Sequence, residues 1–336
     1  MFNALPAYQG GKRRLAPLIF ALLGGRVPPS SWRRLVFADP FLGGGGVSLA
    51  AKANGFRVVC NDVALRSAVV GRALIANGSR RLGQADVLAL LRDPCVAYQQ
   101  MAQERFVPDV LSRAHARVLD RALYWARSDD FPEPLRSLAL VLIIKWLLRV
   151  QPMSMLRGTD AKAAFSGDLD RVSPRRVGHY VRSFSLLRPS AWWRLAEDVN
   201  RGVFPGQGAA HQQDVFAFLS HVAADVVYLD PPYAGTASYE REYGVLDELL
   251  EGEQRDVSGF SRSADLLQEL FLACRHIPVW LVSFNNSVLS LEELEAMVRL
   301  HRPNVTSVRV AYRHLGSIAS EEKNAKNEEY VILATA

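Results

Sequence analysis

The tetrapeptide Asp230-Pro231-Pro232-Tyr233 constrains this chain more than any other stretch. It follows Val226-Val227-Tyr228-Leu229, an apolar run that reads as a buried strand. Two prolines cannot continue a hydrogen-bonded ladder, so the strand has to end there. An acidic side chain, a stiff backbone carbonyl and an aromatic ring are then held at the strand's C-terminal end. In an open α/β sheet that edge is where ligands bind. The group suits a flat molecule with an exocyclic amino group. The Asp230 carboxylate and the Pro231 carbonyl can accept its two N–H bonds, and Tyr233 can stack on its face. The same four residues also spell an ordinary strand-ending turn, so the rest of the chain has to discriminate.

The chain on either side reads as α/β. Leu35 to Ala38 is a strand ending at Asp39-Pro40-Phe41, and a glycine loop follows from Gly43 to Gly46. Val47 to Asn54 reads as a helix stopped at Gly55. Arg57 to Cys60 is a second strand, followed by Asn61-Asp62 and a helix from Ala64 to Asn77. Ahead of these, Lys12 to Leu23 can form a short basic helix. Residues 85–200 carry mostly helical patterns, with candidates at Arg113 to Ala126, Pro134 to Val150 and Pro174 to Leu187. The α/β pattern returns near Gln213-Asp214 and continues with strands at Val226 to Leu229, Val279 to Ser283, Val305 to Val310 and Tyr330 to Leu333. Helices are expected over Asp265 to Arg275 and Leu291 to Val298, and a long polar loop from Tyr233 to Ser263. The expected organisation is a first part of the α/β domain at 1–84, a helical insert at 85–200 and a second part at 201–336.

The 336 residues suffice for such a core plus insert, and 49% of them are hydrophobic. The longest apolar stretch, Leu138 to Leu148, contains Lys145 and is too short to span a bilayer. The N-terminus lacks the order of a signal peptide, and Cys60, Cys95 and Cys274 show no metal-ligand spacing. A reduced, cytoplasmic protein with no metal site and no membrane association is the expectation. The net charge of +6 is concentrated. Between Lys145 and Arg194 stand ten basic residues against Asp160, Asp168 and Asp170, a local balance of 10 − 3 = +7. With Trp192 and Trp193 near its end, this segment fits a nucleic-acid footprint, although a solvated basic helix face has the same composition.

Four loops converge on one sheet edge in this reading. They are Tyr8-Gln9-Gly10-Gly11-Lys12, Asp39-Pro40-Phe41-Leu42-Gly43-Gly44-Gly45-Gly46, Asn61-Asp62 and Asp230-Pro231-Pro232-Tyr233. In order and spacing the set resembles the DNA adenine methylase family, the alpha-ordered N(6)-adenine-specific DNA methyltransferases. The resemblance implies a Rossmann-like, S-adenosylmethionine-dependent methyltransferase sheet with an inserted, mainly helical target-recognition domain. It implies S-adenosylmethionine as cofactor, with Phe41, Gly43 and Gly45 in the Phe-x-Gly-x-Gly positions and Tyr8, Gly11, Lys12 and Asp39 beside them. Asp62 would take the ribose hydroxyls, or cap the following helix. Asp214 would hold the cofactor's adenine, or serve as a cap or turn residue. Ser283-Phe284-Asn285-Asn286-Ser287 is similar to a later family motif near the target base. Arg157-Gly158 and Phe165-Ser166 are similar to its recognition pattern, and Lys323-Asn324 with Lys326-Asn327-Glu328-Glu329 to its ending.

The implied reaction moves a methyl group to the 6-amino nitrogen of an adenine flipped out of double-stranded DNA. Asp230, Pro231, Pro232 and Tyr233 would grip and orient that nitrogen, with positioning and charge stabilisation as the main contributions. Rival readings are an amino-methyltransferase acting on cytosine or RNA, where the first tetrapeptide residue is usually Ser or Asn, and a catalytically silent DNA-binding relative. A cognate restriction or defence system is the partner the resemblance suggests, with action as a monomer or weak dimer.

Overall fold

The apolar runs become strands, here β1 (Val36–Asp39), β2 (Arg57–Asn61), β3 (Gly208–His211), β4 (Val226–Leu229), β5 (Val279–Asn285), β6 (Asn304–Ala311) and β7 (Glu328–Thr335). They form one sheet in the order β3-β2-β1-β4-β5-β7-β6. The computed structural model describes residues 1–8, 10–152, 159–233, 237–252, 259–262, 265–286, 288–311 and 328–336. Gln9, Arg157, Gly158, Ser263, Ser287 and the stretch 312–327, with Lys323, Asn324, Lys326 and Asn327, lie outside the described residues.

The strands from β1 to β5 run parallel, and β7 enters antiparallel between β5 and β6. This mixed sheet with flanking helices agrees with the methyltransferase sheet that the resemblance implies. The chain order reverses between β1 and β4, whose C-terminal ends carry Asp39 and Asp230. Such a switch point opens a crevice at the strand ends. Register brings the start of β7 to the same edge, because Asn285 at the end of β5 pairs with Glu329.

Two compact units divide the chain. The first comprises residues 8–71, 206–241 and 256–336 and holds the sheet. On one side Phe20 of the helix Ala16–Gly24 packs with Trp32, Phe37 and Phe56. On the other, Phe218, Phe271, Trp280 and Phe284 are buried with Leu229 and Ile332. The second comprises residues 1–7, 72–205 and 242–255 and contains no strand among its described residues. Its centre is the helix Leu135–Val150, buried nearly all round. Lys145 survives there because its ammonium donates to the carbonyls of Asn3 (2.6 Å) and Leu5 (3.3 Å). Among the described residues no helix is long and apolar enough to cross a membrane.

Several elements differ from the sequence expectation. Gly208-Ala209-Ala210-His211 forms β3 although it lacks the β-branched and aromatic residues that mark a strand. Parallel pairing with β2 supplies what composition does not. The long loop expected after Tyr233 is in large part the helix Ala237–Glu251. Tyr243, Leu246 and Leu250 recur there at helical spacing and are buried. The basic helix expected at Lys12 to Leu23 is a 3-10 turn, Lys12–Arg14, followed by the α-helix Ala16–Gly24. Trp192 lies fully buried with its ring 5.0 Å from that of Trp146, so it is core and presents no stacking face to a base. Of the basic residues between Lys145 and Arg194, Lys162, Arg171 and Arg176 pair with Asp109, Asp168 and Asp160. Arg149, Arg175, Arg182, Arg188 and Arg194 are exposed.

Candidate active site

The glycine loop owes its shape to backbone that only glycine adopts readily. Gly43 has φ +51° and Gly45 has φ +72°, both in the left-handed region. The Tyr8 ring lies against this loop, 3.2 Å from where a Cβ on Gly43 would stand. Burial pushes the Tyr8 hydroxyl up to about 12. Asp62 clamps the loop from β2. Its Oδ2 accepts the Gly43 N–H at 2.8 Å and its Oδ1 accepts the Ala64 N–H at 2.9 Å. Asp62 therefore holds the glycine loop and the turn at Ala64, while the helix Leu65–Val70 that follows has Ala64 as its N-cap and no side-chain cap. Burial first of all raises the Asp62 carboxyl above the usual range. The carboxylate as a whole offers more lone pairs than these two bonds use, which leaves acceptor capacity for a ligand hydroxyl.

Asn61, just before it, ties three loops together. Its amide donates to the carbonyls of Pro40 (3.4 Å) and Gln213 (3.1 Å) and accepts the Gln213 N–H at 3.2 Å. Asp39 is 1% exposed and accepts the Ser48 hydroxyl at 2.7 Å, which anchors the start of the helix Gly46–Ala53. Burial pushes its carboxyl up to about 7. Asp214 caps the helix Val215–Leu219, accepting the N–H groups of Phe216 (2.8 Å) and Ala217 (3.2 Å). Phe41 meets Phe260 edge-on at 5.4 Å, and Phe216 stacks on Phe260 at 6.2 Å. These three rings make an aromatic wall beside the glycine loop.

At the neighbouring strand end, Lys12, Asp230, Tyr233 and Glu329 form one cluster. The Lys12 ammonium donates to the Tyr233 hydroxyl at 2.7 Å and the Gly10 carbonyl at 3.2 Å. It pairs with Asp230 at 3.1 Å and with Glu329 at 3.7 Å. The Tyr233 hydroxyl lies 3.0 Å from Asp230 Oδ1 and 3.1 Å from Glu329 Oε2. The side chains of Lys12 and Glu329 are 4% and 1% exposed, against 18% for Asp230, so Asp230 is the most open of the charged members. Burial, then the Asp230 carboxylate, drives the Tyr233 hydroxyl well above its ordinary value. The Tyr233 ring meets Phe284 edge-on at 4.9 Å, and the Lys12 ammonium stands 4.9 Å from its centroid. Tyr233 thus has a tethering role at its hydroxyl that its ring alone does not suggest.

The structure brings Lys12, Asp230 and Tyr233 together, and separately Tyr8, Gly43 and Asp62. At the end of β5, Phe284 backs Tyr233, and just after the strand Asn286 exchanges hydrogen bonds with the Glu328 backbone. Sequence reasoning leaves Asn61, Gly44, Phe216, Phe260 and Glu329 without a role. For Asn61 the signal is present, an amide at the end of a buried strand. For Glu329 it is hidden among neighbouring charges.

A family model for D12 class N6 adenine-specific DNA methyltransferases matches residues 8–106. The chain is also similar to the Type II methyltransferase M2.HphI of Haemophilus parahaemolyticus, with 28% identity over 346 aligned positions that cover 97% of this chain and 96% of that protein.

Proposed function

We infer that this chain, which belongs to the D12 class of N6 adenine-specific DNA methyltransferases and methylates adenine in DNA, uses S-adenosylmethionine as its methyl donor and works through Asp230. The observation that carries the residue assignment is the Lys12-Asp230-Tyr233 cluster at the strand end next to the glycine loop. The donor fits the residues present. Gly43 and Gly45 leave the backbone bare, Asp62 keeps lone pairs for ribose hydroxyls, and Phe41 and Phe216 offer faces for an adenine.

When bound, the donor supplies an electrophilic sulfonium methyl group. The chain's own residues then do the following. The Asp230 carboxylate and the Pro231 carbonyl accept the two N–H bonds of the target amino group. This draws the nitrogen lone pair out of ring conjugation and aims it. Pro232 fixes the backbone so that both acceptors keep their places. Tyr233 and Lys12 border Asp230, and the Tyr233 ring backs the target base. Asp230 receives the proton that the methylated nitrogen releases. Lys12, Gly11 and Tyr8 line the side towards the donor, Asp39 fixes the loop through Ser48, and Asp214 faces the donor's base.

The helical unit is the part that reads DNA in this proposal. Exposed Arg175, Arg182 and Arg188, with exposed Val181 and Phe184 among them, suit a phosphate backbone and its sugars. The similarity to a Type II methyltransferase supports a restriction or defence system as partner. Action as a monomer or weak dimer, and in the cytoplasm, completes the reading.

The test is mass spectrometry of nucleosides from methyl-free DNA incubated with the protein and labelled S-adenosylmethionine. Label is expected in 6-methyladenosine, and label in 4-methylcytosine would overturn the base assignment. Asp230→Ala should lower transfer by at least about a hundredfold while donor binding persists. Near-normal turnover of that variant would remove Asp230 from the mechanism.

A further inference from the structure

Glu329 is the one member of the Lys12 cluster that methyl transfer, as described, leaves without a task. It is the second residue of β7, at the register position opposite Asn285, and is 1% exposed. Its Oε2 faces Tyr233 at 3.1 Å and Lys12 at 3.7 Å. Its Oε1 is buried and has no hydrogen-bond partner among the described residues. Tyr233 has one hydroxyl proton and two carboxylates within reach, Asp230 at 3.0 Å being the other. The Lys12 ammonium is divided between the same two carboxylates. The single Tyr233 proton can go to only one of the two carboxylates at a time.

We propose that Glu329 is a positioning residue whose ionisation sets how free Asp230 is to grip the target amino group. An ionised Glu329 draws the Tyr233 proton and part of the Lys12 charge towards itself, which releases Asp230 Oδ1 as an acceptor. A neutral Glu329 donates its own proton to the Tyr233 oxygen instead. Tyr233 and Lys12 then both turn on Asp230 and compete with the substrate for its lone pairs. The inference rests on Asp230 being the group that holds the target nitrogen.

The setting favours such a switch near neutrality. Burial pushes the Glu329 carboxyl up to about 7, Lys12 acting against this and Asp230 with it. The titratable and charged groups around it are Lys12 from the N-terminal segment, Tyr228 and Asp230 from the β4 side, and Tyr233. Both tyrosines are held well above their ordinary range, so neither ionises in this window. Asp39, at the end of β1, is also pushed up to about 7, and it acts on Tyr228. It is the group that has to be told apart from Glu329.

The experiment is the single-turnover rate of labelled methyl transfer to adenine in methyl-free genomic DNA. It is run from about pH 5.5 to about pH 8.5 with wild type, Glu329→Gln and Glu329→Asp. Donor affinity is measured in parallel by calorimetry. Wild type should lose about tenfold in rate per pH unit below about 7. Glu329→Gln, fixed in the neutral state, should be slow and flat, at least about tenfold below wild type at the alkaline end, with donor affinity unchanged. Glu329→Asp should keep an acid limb. A Glu329→Gln protein with the wild-type limb would assign that limb to Asp39 and overturn the proposal. So would a flat profile for Glu329→Asp, or a rate loss matched by lost donor affinity. Wild type that leaves adenine unlabelled would instead remove the reading of Asp230 on which the proposal stands.

Discussion

A methyl group added at Gly44 would lie 2.6 Å from the Tyr8 Cβ and 2.9 Å from its Cγ. Neither atom is the far end of a flexible chain, so backbone has to move. Gly44→Ala should therefore lower stability by about 1–3 kcal/mol and weaken donor binding, as read by thermal unfolding with and without S-adenosylmethionine. Unchanged unfolding in both conditions would contradict the packing of Tyr8 on the loop. Residues of this kind mark the limit of sequence reading. Gly43 and Gly45 stand out by their pattern, and their positive φ values supply the physical reason. Gly44 does not, because its bareness answers to a ring from a distant segment. Glu329 reads as one of several charges before a strand, and only the antiparallel entry of β7 turns it inward. Asp230 is legible because two prolines fix where its strand must stop.

At the scale of elements, strands with β-branched or aromatic residues are legible and β3 is not, since its pairing with β2 is a tertiary fact. The helix Arg113–Ala126 is legible to the residue, helped by a Ser112 cap that accepts the His115 N–H. The helix Ala237–Glu251 is lost to its charged opening, although its buried stripe is regular. The helix Val215–Leu219 offers a test of a residue with two readings. Asp214→Ala removes the cap and should cost about 1 kcal/mol. Asp214→Asn keeps a good cap, so its stability should match wild type. Weaker donor affinity in the Asn variant, measured by calorimetry, would separate a contact to the donor from capping alone. Equal affinity would leave Asp214 with the cap as its only task.

At the scale of the whole molecule, two buried carboxyls link folding to pH. Burial raises Asp39 from 3.8 and Glu329 from 4.5, each to about 7. Between the unfolded and folded values the folded chain binds more protons than the unfolded one. Their contribution to stability is then fully present below the unfolded values and declines as pH rises through the window up to about 7. Denaturant unfolding at about pH 5 and about pH 7.5 should show lower stability at the higher pH from these groups. The difference should shrink in an Asp39→Asn, Glu329→Gln double variant. A difference of the same size in that variant would place the linkage elsewhere. Along the sequence, strand signals give way to helical ones and return.

The place of β7 also bears on when the sheet and the cluster can close during synthesis. β6 precedes β7 in the chain, yet among the described residues β7 is its one strand neighbour and stands between it and β5. A nascent polypeptide that has emerged only as far as β6 already carries Lys12, the glycine loop and Asp230. It has nothing to join β6 to the sheet and no Glu329 beside Tyr233. The strand that closes the sheet and completes the cluster leaves the ribosome after the other six. The cluster around Asp230 is therefore complete only once that strand has emerged.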